Sequence, residues 1–230
     1  MTNDRFGMRW GSAGGTSLTS IDEARAAARF AEQAGFDSFW ISHATGVDPI
    51  VALACLGNDF PGIGEVGTSV VPLYGRHPVG LAQLAALGPR MLRFAGGRLA
   101  GTTLGQCGPR TISSHILPHL QAGAKAVGRD GSPRIMALVR ICVTDDFAGA
   151  KTLAREISAQ YQSNPSYANA TKHEGLDDAS DLHLIGSWGQ VLDGLAEYAE
   201  AGATDLRIEV SAHDEKSRER TRVALADYLS

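Results

Sequence analysis

The sequence predicts an α/β protein built on a parallel sheet or barrel, and three observations carry that prediction. The first forty or so residues spell strand, helix, strand. The same order returns near the carboxyl end, where Ala199-Glu-Ala-Gly-Ala-Thr-Asp205 repeats the helix end, glycine and strand start of Ala31-Glu-Gln-Ala-Gly-Phe-Asp37. Between them, β-branched runs alternate with helix-forming ones, the grammar of βα units wound in one direction. At 230 residues one sizeable core suffices, so the whole chain, 1–230, is read as a single domain.

Each element has a local reason. Phe6-Gly-Met-Arg-Trp10 is strand-like, and Gly11-Ser-Ala-Gly-Gly15 reads as a connecting loop, because no Lys-Ser/Thr pair completes a phosphate cradle. Ser20-Ile-Asp-Glu23 is a capping box. It opens an alanine-faced helix that stops at Gly35, and strand 37–42 follows. Asp48-Pro49 caps a helix near 49–58. Strand 65–72 breaks at Pro72, Gly75 and Pro78 into a tight exit, after which a helix near 78–95 is expected. Strands 99–104, 134–143 and 205–210 and helices near 111–127, 146–163, 192–201 and 213–229 complete the alternation, with Asn164 to Gly175 helix-prone. That gives about six strands, with His183-Leu-Ile185 a short seventh candidate.

Composition excludes several classes of function. A net charge of -4 with no basic stripe argues against nucleic acid as a partner. Lys216, Arg218, Arg220 and Arg222 are interrupted by acids and read as the solvated face of a terminal helix. Cys55, Cys107 and Cys142 lack CxxC spacing, so a reducing cytoplasm fits better than a disulfide framework. No apolar run approaches membrane-helix length, and the amino end lacks a secretory pattern.

Chemistry is expected at the carboxyl ends of the strands, where open sheets and barrels bind ligands. His43 stands there, at the end of strand 37–42, and could steer a proton or hydrogen-bond a polar ring; a loop histidine without a role explains the letters as well. Tyr74, Arg76 and His77 stand where strand 65–72 hands over to a helix. Arg140 alternates with Met136, Leu138 and Cys142, so it is either paired or lines a polar pocket. Trp10 and Trp40 are read as core. His115 and His119 are not read as a metal pair, since Pro118 lies between them and no carboxylate follows at ligand spacing. Cys107 has no positive neighbour in sequence that would make it a nucleophile.

Gly67-Thr-Ser-Val-Val-Pro-Leu-Tyr-Gly-Arg-His-Pro78, Ala31 to Asp37, Leu87-Gly-Pro-Arg-Met-Leu-Arg-Phe-Ala-Gly96, Cys142-Val-Thr-Asp-Asp146 and Ala201 to Asp205, in this order, resemble luciferase-like monooxygenases, nearest to the coenzyme F420 branch. The resemblance implies a TIM-barrel-like fold with coenzyme F420 or FMN at the carboxyl ends of the strands. It implies a ring-facing role for His43, a non-proline cis peptide near Ser69-Val70 buttressing the ring, and cofactor contacts from Tyr74, Arg76 and Arg140. The chain departs from the pattern near residues 83–84, where Pro78-Val-Gly-Leu-Ala-Gln83 runs straight into Leu84-Ala-Ala-Leu-Gly-Pro89. The family's fourth strand, insertion and most of its fifth strand, which help to hold the cofactor phosphate, have no counterpart here. The expected fold is therefore an incomplete or distorted barrel of six to seven mainly parallel strands. Two functional readings follow: a shortened oxidoreductase passing hydride or oxygen to a small organic substrate, or a cofactor-free or flavin-derivative-binding protein or non-redox enzyme on a degenerate barrel. An interrupted barrel also leaves uncovered edges, which a homodimer would hide.

Overall fold

The computed structural model of the chain describes residues 5–15, 18–42, 46–57, 59–70, 88–162 and 165–230; of Val70, residues 160–162 and residues 165–169 it describes the backbone alone. β1 (Arg9–Ala13), α1 (Ile21–Gln33), β2 (Ser38–Ser42), α2 (Pro49–Leu56) and β3 (Glu65–Val70) form the first half. α3 (Pro89–Arg98) and β4 (Gly101–Leu104) begin the second. A helical run follows, made of α4 (Pro109–Thr111), a π-helical stretch (Ile112–Ile116) and α5 (Leu117–Ala126). Then come β5 (Arg134–Val143), α6 (Phe147–Gln162), α7 (Pro165–Glu174), a 3₁₀ turn (Ala179–Leu182), β6 (Leu184–Gly186), α8 (Trp188–Glu200), β7 (Asp205–Val210) and α9 (Glu215–Leu229).

The strands run in the order β3-β2-β1-β7-β5-β4, with β6 paired to β5, and every pairing is parallel. The first and last strands are neighbours, as in a closed barrel, but among the described residues β3 and β4 end the path as edges. The sheet is thus an open, curled half-barrel. Its curl is visible in one contact: Arg134 at the start of β5 reaches the Glu65 carboxylate at the start of β3, 3.1 and 3.2 Å away, across the concavity and past three intervening strands.

Period-two alternation sorts the strand residues. Trp10, Phe39, Ile41, Ile135, Ala137, Val139, Ile141, Leu206 and Ile208 face outward and pack under the helices as the core. Arg9, Gly11, Ser38, Trp40, Ser42, Glu65, Gly67, Met136, Leu138, Arg140, Asp205, Arg207 and Glu209 share the other, concave face, as their registers require. Trp40 is therefore not a core residue like Trp10. Its ring lies over Gly67, where a Cβ would stand 2.4 Å from it, and its indole N–H donates to Ser38 Oγ at 2.9 Å.

Most predicted elements form, with shifts at their ends. β1 occupies Arg9–Ala13, running into the stretch read as a loop, because Gly11 has the small size needed beneath the Ser38 and Trp40 side chains. Ser20 caps α1 by accepting from Glu23 N–H. The Glu23 carboxylate answers one residue upstream, accepting from the Thr19 N–H and hydroxyl, and these bonds hold its pKa below the usual value. A capping box with both halves present opens α8 instead, at Ser187 and Gln190. The expected helix near 78–95 lies largely outside the described residues, and α3 extends three residues beyond it.

Among the described residues no peptide bond is cis, so the cis bond expected at Ser69-Val70 is corrected to trans. The irregularity at this place is a register shift between Ile41 and Ser42: Ser42 pairs with Val70 rather than Ser69. A shift of this kind bends a strand without the ~3–4 kcal/mol that a non-proline cis bond costs.

Candidate functional site

Two layers of polar residues line the concave face. At the amino ends of the strands, Arg9 and Arg134 meet Glu65 and Asp205: Arg134 bonds both carboxylates, and Arg9 Nη1 lies 2.7 Å from Glu65 and 3.9 Å from Asp205. Burial alone would raise the Glu65 pKa, but hydrogen bonds from Arg134 and Arg9 outweigh it and hold the carboxyl below its usual value. This layer is charge-balanced and ties β1, β3, β5 and β7 together.

The second layer lies toward the carboxyl ends. Arg207, buried on β7, passes over the small residues of β1 and donates from Nη1 to Ser42 Oγ on β2 at 3.0 Å; Ser42 Oγ in turn stands 2.6 Å from Ser69 Oγ on β3. Arg140 on β5 lies opposite Glu209 in register and pairs with its carboxylate at 3.3 Å. The alternatives left open for Arg140 are thus both realised, since the paired guanidinium also lines the polar face. His183 lies directly before β6, beside Arg140. Its imidazole is 8 % exposed, and its Nε2 has no hydrogen-bond partner among the described residues. Burial first, then the positive charges of Arg140 and Lys151, lower its pKa from 6.5 to about 3, so it is neutral near pH 7.

Of the predicted site residues, Ser69 and Arg140 are on this face, and the backbone of Val70 pairs with Ser42. His43, Tyr74 and Arg76 lie outside the described residues. Ser42, His183, Arg207 and Glu209 were missed. The letters carried a signal for two of them, because Asp205-Leu-Arg-Ile-Glu-Val210 alternates charged and apolar residues with period two, which places Arg207 and Glu209 on one face.

Other clusters are accounted for by structure. At the carboxyl edge His213 Nε2 sits 3.0 Å from Asp146 and 3.3 Å from Asp214. Asp214 caps α9 and Asp146 accepts from Gly149 N–H at the start of α6, so the imidazole joins two helix starts. His115 lies between His119 and His173, with ring centroids 4.8 and 4.6 Å away, the latter pair stacked. Burial, with the charge of Glu174, pushes the Cys107 thiol up to about 12, so it is a protonated donor to Gly105 O rather than a nucleophile at neutral pH.

His183 makes a measurable prediction. The unfolded chain takes up a proton near pH 6.5 that the folded chain refuses until about pH 3. Its contribution to stability is therefore complete above pH 6.5 and is lost progressively below it. His183→Gln should flatten the fall of Tm between about pH 6 and about pH 4. An unaltered slope in calorimetric scans would mean that the imidazole is not held neutral.

A parallel half-barrel with a polar face toward the carboxyl ends of its strands defines an α/β-barrel protein, a class of fold that binds its ligands at that end of the strands. The sequence matches the luciferase-like monooxygenase family over residues 6–87 and 83–205, and the chain belongs to that family. Its fold is similar to that of an F420-dependent secondary alcohol dehydrogenase in complex with an F420-acetone adduct (16% identity, 97% of this chain and 99% of that chain, TM-score 0.65). It is similar to the coenzyme F420-dependent tetrahydromethanopterin reductase from Methanopyrus kandleri (14% identity, 95% and 96%, TM-score 0.64). It is also similar to the oxygenating constituent of 3,6-diketocamphane monooxygenase from the CAM plasmid of Pseudomonas putida, in complex with FMN (14% identity, 95% and 96%, TM-score 0.65). At these identities the likeness is one of fold. No curated protein matches the sequence.

Proposed function

We propose that this chain is a shortened luciferase-like oxidoreductase that binds coenzyme F420 or FMN on the concave face and passes hydride or oxygen to a small organic substrate. The observation that carries the reading is the family match together with the Arg207–Ser42–Ser69 chain of donors facing the concavity. Those donors, the neutral His183 and the Trp40 ring fit the electron-rich carbonyls and flat faces of such a cofactor. The cofactor would supply the redox chemistry. The protein's own part is to orient the ring with Ser42, Ser69 and Arg207, to keep Arg140 balanced by Glu209, and to hold a proton at His43.

If His43 acts as a general acid or base, His43→Ala lowers turnover by roughly 10²-fold or more. A folded variant with the wild-type rate would return it to the role of a loop residue. Tyr74 and Arg76 are proposed as further cofactor contacts, on the resemblance alone.

The family match falls in two stretches that meet at residues 83–87, which supports a chain shortened there and favours a second reading: a binding protein or non-redox enzyme that has lost the phosphate-holding segment. Titrating the protein with FMN and with coenzyme F420, followed by fluorescence and absorbance, separates the two. Binding of neither below roughly 100 μM, weaker than cofactor affinities usually are, would end the redox reading.

We also propose a homodimer in the cytoplasm. The edges of the sheet path carry exposed apolar residues, Val66 on β3 with Ile50 and Val51 on α2 at one side, and Met91 and Phe94 on α3 at the other. Burying both stabilises a pair of chains. Sedimentation at low micromolar concentration should give twice 24.2 kDa; a monomer mass would remove the proposal. Among the described residues no helix is long and apolar enough to cross a membrane.

A further inference from the structure

α1 and α9 cover neighbouring strands, β1 and β7, yet make little direct contact with each other. The side chains they turn toward one another explain the gap. On α1 these include Asp22, Arg25, Ala26, Arg29 and Phe30, and on α9 Glu219, Arg222, Val223 and Ala226, each set spaced three and four residues apart along one stripe. Ala26, Ala226 and Ala34, just past the end of α1, are too small to meet across the stripe, and a groove of about 520 Å³ runs between the helices. Phe30, packed on the core, lies at its base, and Val223, 47 % exposed, gives it an apolar wall. Arg222 separates this groove from a smaller cavity of about 180 Å³ that leads to Gly14 and Gly15, directly after β1.

The charges in the groove are unevenly served. Arg25 is paired, at 3.6 Å with Asp22 and at 3.5 Å with Asp59. Arg29 and Arg222 make no ion pair among the described residues, although Glu219 stands one turn before Arg222. The Arg222 guanidinium sits over the Phe30 ring, its Cζ 5.0 Å from the centroid. The ring meets the face of the guanidinium and leaves the N–H donors at its edge to find acceptors. Nε finds none: it is buried and has no hydrogen-bond partner among the described residues. A buried donor without an acceptor, in the wall of two cavities, is a place for a ligand oxygen.

We propose that the groove between α1 and α9 binds an organic carboxylate with an apolar body. Arg222 takes the carboxylate, with Arg29 at the rim, and the body lies against Phe30, Val223 and the alanines. A carboxylate accepts two parallel N–H bonds from one guanidinium, which suits the Nε of Arg222 and the Nη beside it. The site lies on the helix side of the sheet, apart from the concave face, so it stands or falls independently of the cofactor reading.

The test is isothermal titration of the whole chain with 1-naphthoate, with 1-naphthamide as its uncharged counterpart, and with inorganic phosphate. Naphthoate is expected to bind at least about tenfold more tightly than naphthamide, and more tightly than phosphate, which lacks the apolar body. Arg222→Met, which keeps a stem over Phe30, should abolish the preference for the anion, and Arg222→Lys, which keeps the charge but loses the fork, should weaken naphthoate about tenfold. Ala26→Phe fills the groove from an exposed position and should weaken both naphthalene probes about tenfold. Circular dichroism verifies that each variant is folded, and Ala26→Phe carries the test if neither Arg222 variant is. Equal binding of naphthoate and naphthamide, wild-type naphthoate binding by folded Arg222→Met or by Ala26→Phe, phosphate bound as tightly as naphthoate, or no naphthoate binding at about 10 mM would overturn the proposal. Naphthoate held on the concave face instead would bind Ala26→Phe unchanged, which is one of those outcomes.

Discussion

Replacing Gly96 or Gly123 by alanine should be among the most damaging single changes in the protein. α3 and α5 cross with their backbones in contact: a Cβ on Gly96 would stand 1.9 Å from Leu120 O, and one on Gly123 would stand 1.9 Å from Arg93 O. Neither neighbour is a movable side-chain tip, so the helices must separate. Separation opens the packing of Leu92, Ala95 and Leu120, all buried. Overpacking usually costs about 1–3 kcal/mol, and a backbone clash on both helices belongs at or above the top of that range. Each variant is expected to lose roughly 3 kcal/mol in urea unfolding at unchanged m-value, or to be insoluble. A loss below about 1 kcal/mol would show that α3 and α5 can move apart freely and that the close crossing is incidental.

Arg134→Met is the second. The guanidinium makes four N–H···O contacts, at 3.1 and 2.5 Å to Asp205 and at 3.2 and 3.1 Å to Glu65, and its loss leaves Asp205, with a side chain 4 % exposed, beside only the more distant Arg9 and the Thr204 hydroxyl. Breaking a buried pair from one side costs about 3–5 kcal/mol, but Arg134 is about a third exposed and solvent screens part of this, so roughly 2–3 kcal/mol is expected. The loss should depend on pH. The Glu65 pKa is held down by this contact, so its share of stability is present above its unfolded pKa of 4.5 and disappears as pH falls through the lower folded value. Arg134→Met and wild type should therefore converge in stability in acid. A constant difference from pH 7 to about pH 3 would mean that packing of the arginine stem, and not its charge, carries the effect.

How much of this was legible in the letters differs between layers of the structure. β5 was read at its full extent because Ile135 to Val143 is an unbroken apolar run except at Arg140, and such a run has few alternatives. α2 was read from Asp48-Pro49, and Asp48 does accept from Ile50 and Val51 N–H. β1 was displaced toward the amino end because glycines were read as a loop signal, whereas Gly11 is a requirement of the side chains stacked above it. That requirement comes from β2, not from its own neighbours, and local pattern cannot show it. Ser69 and Arg140 were found and Ser42, Arg207 and His183 were not, for a related reason. The contact between Ser42 and Arg207 joins residues 165 positions apart, and it exists only because β1 lies between β2 and β7. His173 stacks on His115 in the same way, from a helix that spacing within 111–127 could not reveal.

The sheet order also fixes when the molecule can come into being. Among the described residues, strand pairing joins β3-β2-β1 to β4-β5-β6 only through β7, which follows all six of them in sequence. A nascent chain emerging from the ribosome therefore carries two separate three-stranded sheets until β7 itself has been made. Each exposes the strand edge that β7 will occupy, Arg9–Ser12 on one and Met136–Ile141 on the other. Pairing them is long-range in sequence and correspondingly slow, and during that interval both edges are open to other chains. Aggregation during synthesis should accordingly respond to mutations in β7 well before the finished protein loses stability to them.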